Sequence, residues 1–142
     1  LYVVNTGNYV TPASMAIIDP SSMQRVALIS PLSVGAGHIA IDAAGLAYIS
    51  SFSDATVVFN TRTRTWVRGP DNPVCARRSA SNTCRGAASA TAAGSGVMYQ
   101  TFFGSAAQGL APYVFVYDKD TFVLRDSIAV GNGPMSITVR TF

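Results

Sequence analysis

Four kinds of short apolar segment recur along this 142-residue chain. The first is a strand-like run carrying a tyrosine and ending in small polar residues. It reads LYVVNTG from Leu1, GLAYISSF from Gly45 and GVMYQTFF from Gly96, with Tyr2, Tyr48 and Tyr99 in the same place. The second is a hydrophobic strand closed by Asp or Asn: MAIIDPSS with Asp19, TVVFNTRT with Asn60, and YVFVYDKD with Asp118. Asp and Asn suit a tight turn there, because their side chains bond backbone N–H groups two residues on. A third short strand follows that turn as QRVALIS, TWVRG and LRDSIAV. The fourth follows a Gly-rich lead-in: HIAIDAAG, the small-residue run AASATAAG, and MSITVRTF. No segment sustains a 3.6-residue pattern, so no long helix is predicted.

With the Gly-led strand labelled A and the tyrosine strand B, the chain reads BCD, ABCD, ABCD, A. Four strands repeating every 46 to 51 residues predict an all-β fold of four-stranded antiparallel β-propeller blades. About three blades are expected, as part of a six- or seven-bladed ring. They form one partial domain with blade segments near 1–34, 35–84 and 85–130 and a terminal strand over 131–142. A cysteine-loop insertion is expected near 69–86. Paired glycines lead into strand A twice, in GAGHIAI (Gly35 to Ile41) and GNGPMSI (Gly131 to Ile137).

The phrases LYVVNTG, AIIDPSS and GNGPMSI are similar to the YVTN β-propeller repeats, over nearly the whole chain. The second and third copies depart from that pattern, writing YISS and YQTF, and the cysteine loop is an insertion the plain repeat lacks. The resemblance implies a propeller of the kind found in surface-layer-like proteins, periplasmic proteins and subunits of redox complexes. Propellers close with four to eight blades, and an arc of three leaves two apolar faces uncovered. Partners are therefore expected: further blades, other proteins, or a second copy whose B strand pairs with the terminal A strand.

Composition agrees. Hydrophobic residues make up 49% and charged residues only 12%, about half the usual charged share. Nine of the ten basic residues are Arg and all seven acids are Asp, which disfavours helix. Arg62, Arg64, Arg68, Arg77, Arg78 and Arg85 crowd the middle of the chain. They read as a solvated loop with strand-end arginines rather than a nucleic-acid surface, which interleaves aromatics with its charges. Cys75 and Cys84 lie nine apart without a second metal-ligating pair. A local disulfide is the simplest account, with two separate thiols as the alternative. A disulfide places the protein outside the reducing cytosol, in the periplasm or at the cell surface. No apolar run has the length of a membrane span. The chain opens directly on LYVVN without an initiator Met or a visible signal peptide, which reads as a mature or incomplete N-terminus.

His38 is the one histidine, and Asp42 stands four residues on, on the same side of a strand. Such a pair suits a general base near a central channel, but no nucleophile accompanies it and the matching position in GNGPMSI is Pro134. Both are weak channel candidates. Asp118 and Asp120 have Ca²⁺-loop spacing without the Gly and distal Glu of an EF-hand, and Asp118 matches the turn residues Asp19 and Asn60. No catalytic residue, cofactor or metal is assigned. Trp66, Phe115 and Phe122 read as space-filling aromatics. A partner-binding loop is expected over 104–112, using Phe102, Phe103, Gln108, Leu110 and Tyr113. One of the adjacent Phe102 and Phe103 must face outward. The first repeat's loop, GNYVTPAS, lies on the same rim.

These features predict a non-catalytic extracytoplasmic scaffold or docking subunit, in the setting of a larger bacterial membrane-associated assembly. The alternatives are a propeller enzyme or ligand-binding protein of lactonase, lyase or redox-subunit type with its site in other blades, or a carbohydrate-binding propeller.

Overall fold

The computed structural model describes residues 1–52, 55–75, 84, 88–94 and 96–140, with backbone alone for 55, 88–93 and 108. Eleven strands lie among them: β1 (Tyr2–Asn5), β2 (Ser14–Asp19), β3 (Gln24–Ile29), β4 (Ala36–Ile41), β5 (Leu46–Ser51), β6 (Ala55–Asn60), β7 (Thr65–Arg68), β8 (Ala88–Ala93), β9 (Val97–Phe102), β10 (Tyr113–Asp118) and β11 (Leu124–Ala129). One 3₁₀ turn, Ala106–Gln108, interrupts the connection from β9 to β10. The strands make three open antiparallel sheets in simple sequential order, β1–β2–β3, β4–β5–β6–β7 and β8–β9–β10–β11.

The sheets reproduce the expected BCD, ABCD and ABCD strand sets. The last A strand does not form, since residues 131–140 join no sheet, and 141–142 lie outside the described residues. The physical reason is that a strand exists only through a neighbour. β4 and β8 each pair with the B strand that follows them, and no described residue offers that partner to 131–140. Pro134 further removes a donor.

Strict alternation places the core. In β5, Ala47 and Ile49 point to one side and Tyr48 to the other; in β6, Val57 and Phe59 oppose Val58. The first set packs with Tyr2, Val4, Met15 and Ile29 of the first sheet. Tyr48 and Val58 pack with Met98, Phe102, Phe115 and Tyr117 of the third. The middle sheet is thus buried on both faces. β8, written ASATAA, runs against β4 and β5, a close backbone approach that suits a run of small residues.

The C-to-D turns share one construction. Oδ1 of Asp19 accepts the Ser21 N–H, that of Asn60 accepts Arg62 and Thr63, and that of Asp118 accepts Asp120 and Thr121. Four residues after each comes a side chain in the left-handed region: Met23 (φ 56°), Arg64 (φ 57°) and Phe122 (φ 59°). None is glycine, although this conformation costs an L-residue about 1–2 kcal/mol. Phe122 offsets the cost by packing on the second core cluster and under Arg68, whereas Met23 is 72% exposed. Met23→Gly is expected to stabilise the fold by about 1 kcal/mol, read as a raised midpoint in chemical denaturation; an unchanged or lowered midpoint would contradict this account of the turn.

Candidate functional site

His38 and Asp42 are placed in different roles. His38 lies opposite Ser50 on β5, just past a bulge at Gly37. It faces the third sheet, is half-buried, and burial holds its pKa below the usual histidine value. Asp42 lies beyond the end of β4, in the A-to-B turn. Its Oδ1 accepts the Leu46 N–H at 2.9 Å, and its Oδ2 takes the Tyr48 hydroxyl at 3.0 Å and Lys119 Nζ at 3.2 Å. Burial pushes the Asp42 carboxyl up, but those three partners outweigh it and hold the pKa below the usual range. Burial first, and the Asp42 charge second, push the Tyr48 hydroxyl far above its ordinary value. Asp42 therefore closes its own hairpin and ties the second sheet to the third. Its carboxylate is committed to these partners rather than to a base pair with His38.

A buried polar line crosses the same interface. Gln100 Nε2 donates to Thr56 Oγ1 at 2.8 Å and to the Val74 carbonyl at 3.1 Å, while the Tyr117 hydroxyl donates to Gln100 Oε1 at 3.1 Å. Ser50 stands beside Thr56 in the ladder, and its buried hydroxyl has no protein partner. Gln100 stands inside the apolar run VMYQTF, a pattern that signals a satisfied interior amide. Among the described residues, no three His, Cys, Asp or Glu side chains converge as metal ligands.

The expected partner-binding set divides. Phe102 is buried at 3% exposure in the second core cluster, with its ring 5.6 Å from Phe115. Tyr113 stacks on Phe115 and packs on the same cluster. These two fill the core instead of a docking surface, because they point inward from paired positions of β9 and β10. Phe103 is the member that faces outward, at 36% exposure, and Leu110 is half-buried beside it. Gln108 ends the 3₁₀ turn, and its side chain lies outside the described residues.

Phe103 belongs to a row the sequence did not reveal. Its ring lies 5.7 Å from that of Phe52, which follows β5 and is 45% exposed. Tyr9 extends the row from the first sheet. A Cβ at Gly35 would stand 3.1 Å from the Tyr9 ring and 3.5 Å from Phe52 Cβ, so only glycine lets these two approach. Tyr9 is itself left-handed (φ 64°) and 64% exposed, held by Asn8 Oδ1, which accepts the Val10 and Thr11 N–H groups. Tyr9 thus stays exposed on a backbone conformation that costs an L-residue about 1–2 kcal/mol. Beyond Phe103 the row opens into a groove of about 890 Å³, lined by Phe103, Ser105, Leu110, Pro112, Asn132 and Met135. Gly133 lies directly under the Phe103 ring, where a Cβ would stand 2.9 Å from it. The row and groove take one B-to-C connection from each sheet. The signal in sequence is faint: ISSF and TFF each put a Phe directly after strand B.

Two arginines of the middle segment have defined partners, Arg62 within the second sheet and Arg68 across to the third. Arg62 donates to the Ala43 carbonyl at 3.0 Å, and Arg68 stacks 5.3 Å over Phe122. Arg77, Arg78 and Arg85 lie outside the described residues.

Cys75 and Cys84 are joined as a disulfide, with Cα atoms 5.9 Å apart; residues 76–83 between them lie outside the described residues. It follows Val74, which bridges back to Thr56 beside the Gln100 network. Replacing both cysteines with serine is expected to cost about 2–3 kcal/mol for so short a loop, measured by denaturant unfolding; an unaltered stability would make the bond dispensable to the fold.

Asp118 holds its turn as a carboxylate. The Thr121 N–H and hydroxyl, with Asp120 and Arg125, keep its pKa at about 2, below the ordinary 3.8. A depressed folded pKa stabilises above the unfolded value and is lost as pH falls through the folded one. Asp118→Asn keeps the acceptor that Asn60 supplies in the second turn but removes the titration. Its thermal midpoint should therefore fall less steeply than the wild type's between about pH 4 and pH 2. Equal slopes would show that the carboxylate does not contribute.

The chain matches none of the models of known protein families, and comparison with curated proteins yields no match.

Proposed function

We propose that the three sheets are successive blades of a YVTN-type β-propeller, and that the protein is a non-catalytic extracytoplasmic scaffold that docks other proteins. The observation that carries this reading is the aromatic row, with Tyr9, Phe52 and Phe103 each leaving the B-to-C connection of a different sheet. Repetition on a rigid support spaces the three rings along one rim, and loops grouped on one rim make a docking surface. The groove beside Phe103 adds Leu110 and Met135, aliphatic side chains suited to a partner's apolar anchor. Blade-like stacking is supported by the way each repeat tyrosine points toward the following sheet: Tyr2 into the first core cluster, Tyr48 into the second. The Cys75–Cys84 disulfide supports an oxidising compartment. His38 and Asp42 support no catalytic reading, because Asp42 is engaged by Leu46, Tyr48 and Lys119.

The double variant Tyr9→Ala/Phe103→Ala tests the docking rim. In quantitative cross-linking pull-down from the native source, proteins recovered with wild type should fall at least about tenfold, as expected for two aromatic hot spots. Its unfolding midpoint should stay close to wild type, since neither side chain belongs to a core cluster. Full recovery of the same partners by a folded double variant would remove the rim from the function.

A further inference from the structure

The outer strand of the second sheet carries the chain's single tryptophan. Trp66 of β7 lies opposite Phe59 of β6 and Arg68 lies opposite Val58, with a bulge between the two pairs. Residues two apart in a strand ordinarily share a face, but the bulge sends Trp66 and Arg68 to opposite faces. Arg68 stacks over Phe122 beside the third sheet. Trp66 turns toward the first sheet, where its ring meets that of Phe59 edge-on at 5.1 Å. It stays 36% exposed.

Three residues on, the chain turns sharply. The Asn72 N–H donates to the Gly69 carbonyl at 3.0 Å, and Pro70 supplies the fixed φ that favours such a turn. Gly69 packs on the indole, since a Cβ there would stand 3.5 Å from Trp66 Cγ. The turn thereby holds Asp71 and Asn72, both exposed, beside the tryptophan. Together they line a cavity of about 350 Å³, with Ser30 and Pro31 of the connection from β3 to β4 on its other side. Among the described residues, no hydrogen bond or ion pair engages the Asp71 or Asn72 side chain. The cavity shares no residue with the rim of Tyr9, Phe52 and Phe103, so its occupancy is independent of the docking reading above.

We propose that this pocket binds a neutral sugar ring, with Trp66 as the stacking surface and Asp71 and Asn72 as partners of its hydroxyls. The C–H groups of a pyranose carry slight positive charge and pack well on an indole face, which is negative. Each sugar hydroxyl both donates and accepts; Asp71 accepts, while Asn72 and Ser30 do both. Asp71 is the one charged residue among the described lining, which disfavours an anion. A cation site gathers aromatic faces or carboxylates, and a cation could not use the donors of Asn72 and Ser30. About 350 Å³ stands at the lower end of the range for small-molecule sites, about 300–1,000 Å³, which suits one or two rings.

Because Trp66 is the only tryptophan, its fluorescence reports on this pocket alone. The 142-residue chain, with its disulfide intact, is titrated with the methyl pyranosides of glucose, galactose and mannose and with N-acetylglucosamine. At least one should shift the emission saturably, with a Kd on the order of 1–10 mM for a ligand of so few atoms. Saturation-transfer NMR on the same sugars detects binding that leaves the emission unchanged. Asp71→Ala should weaken binding at least about tenfold, the loss of one charge-assisted hydrogen bond, with its thermal midpoint close to wild type. Asn72→Ala gives the same reading if Asp71→Ala does not fold. The folded double variant Tyr9→Ala/Phe103→Ala should bind the sugar as wild type does. No binding by either method, undiminished binding by folded Asp71→Ala, or tighter binding of tetramethylammonium overturns the sugar site. So does loss of binding in the folded double variant, which would move the sugar to the rim.

Discussion

Burial of both faces of the second sheet is the constraint on which the rest of this structure depends. Ala47, Ile49, Val57 and Phe59 are spent on one neighbour, and Tyr48 and Val58 on the other. Each of these fully buried side chains contributes about 1.5–3 kcal/mol relative to exposure for the larger ones, so neither interface is dispensable. A sheet buried on both faces leaves few positions for charge along its strands, which is why this chain is so poor in charged residues. The first and third sheets obey the same rule on one face only. Their outer faces keep apolar residues such as Leu28 and Ile128 about half exposed.

The two interfaces are specified differently. Between the first and second sheets the contact is apolar, and complementarity comes from shape. Between the second and third, Gln100 reaches Thr56 and Val74, Asp42 holds Lys119, and Arg68 covers Phe122. Directional bonds of this kind fix how two sheets slide past each other, because a shifted register would leave buried donors unpaired.

The two rims of the stack also divide their labour. C-to-D connections are short and alike, each built on an Asp or Asn turn, because their task is to return the chain in register. The B-to-C connections vary in length, from the short step after Phe102's counterpart Ser51 to the long loop holding the 3₁₀ turn. Variation is tolerated where backbone is solvated, and there it can carry recognition. Tyr9, Phe52 and Phe103 are exposed on that rim because a constant scaffold beneath them sets their spacing.

The sequence by itself determined the strand order, the Asx turns and the Cys75–Cys84 pairing as the simplest account, because each depends on near neighbours. Period-two alternation, a turn residue's reach of two positions and a nine-residue loop are all local quantities. Tertiary structure decided what depends on distant chain. It chose Phe102 for the core and Phe103 for the surface, although the residues are adjacent and chemically identical. It turned Asp42 from a proposed partner of His38 into a clamp on Tyr48 and Lys119, a choice made by a side chain 77 positions away. It brought Tyr9, Phe52 and Phe103 into one row from three separate loops. And it left 131–140 outside the three sheets despite a strand-like sequence, because a β-strand, unlike a helix, takes its hydrogen bonds from another segment of chain.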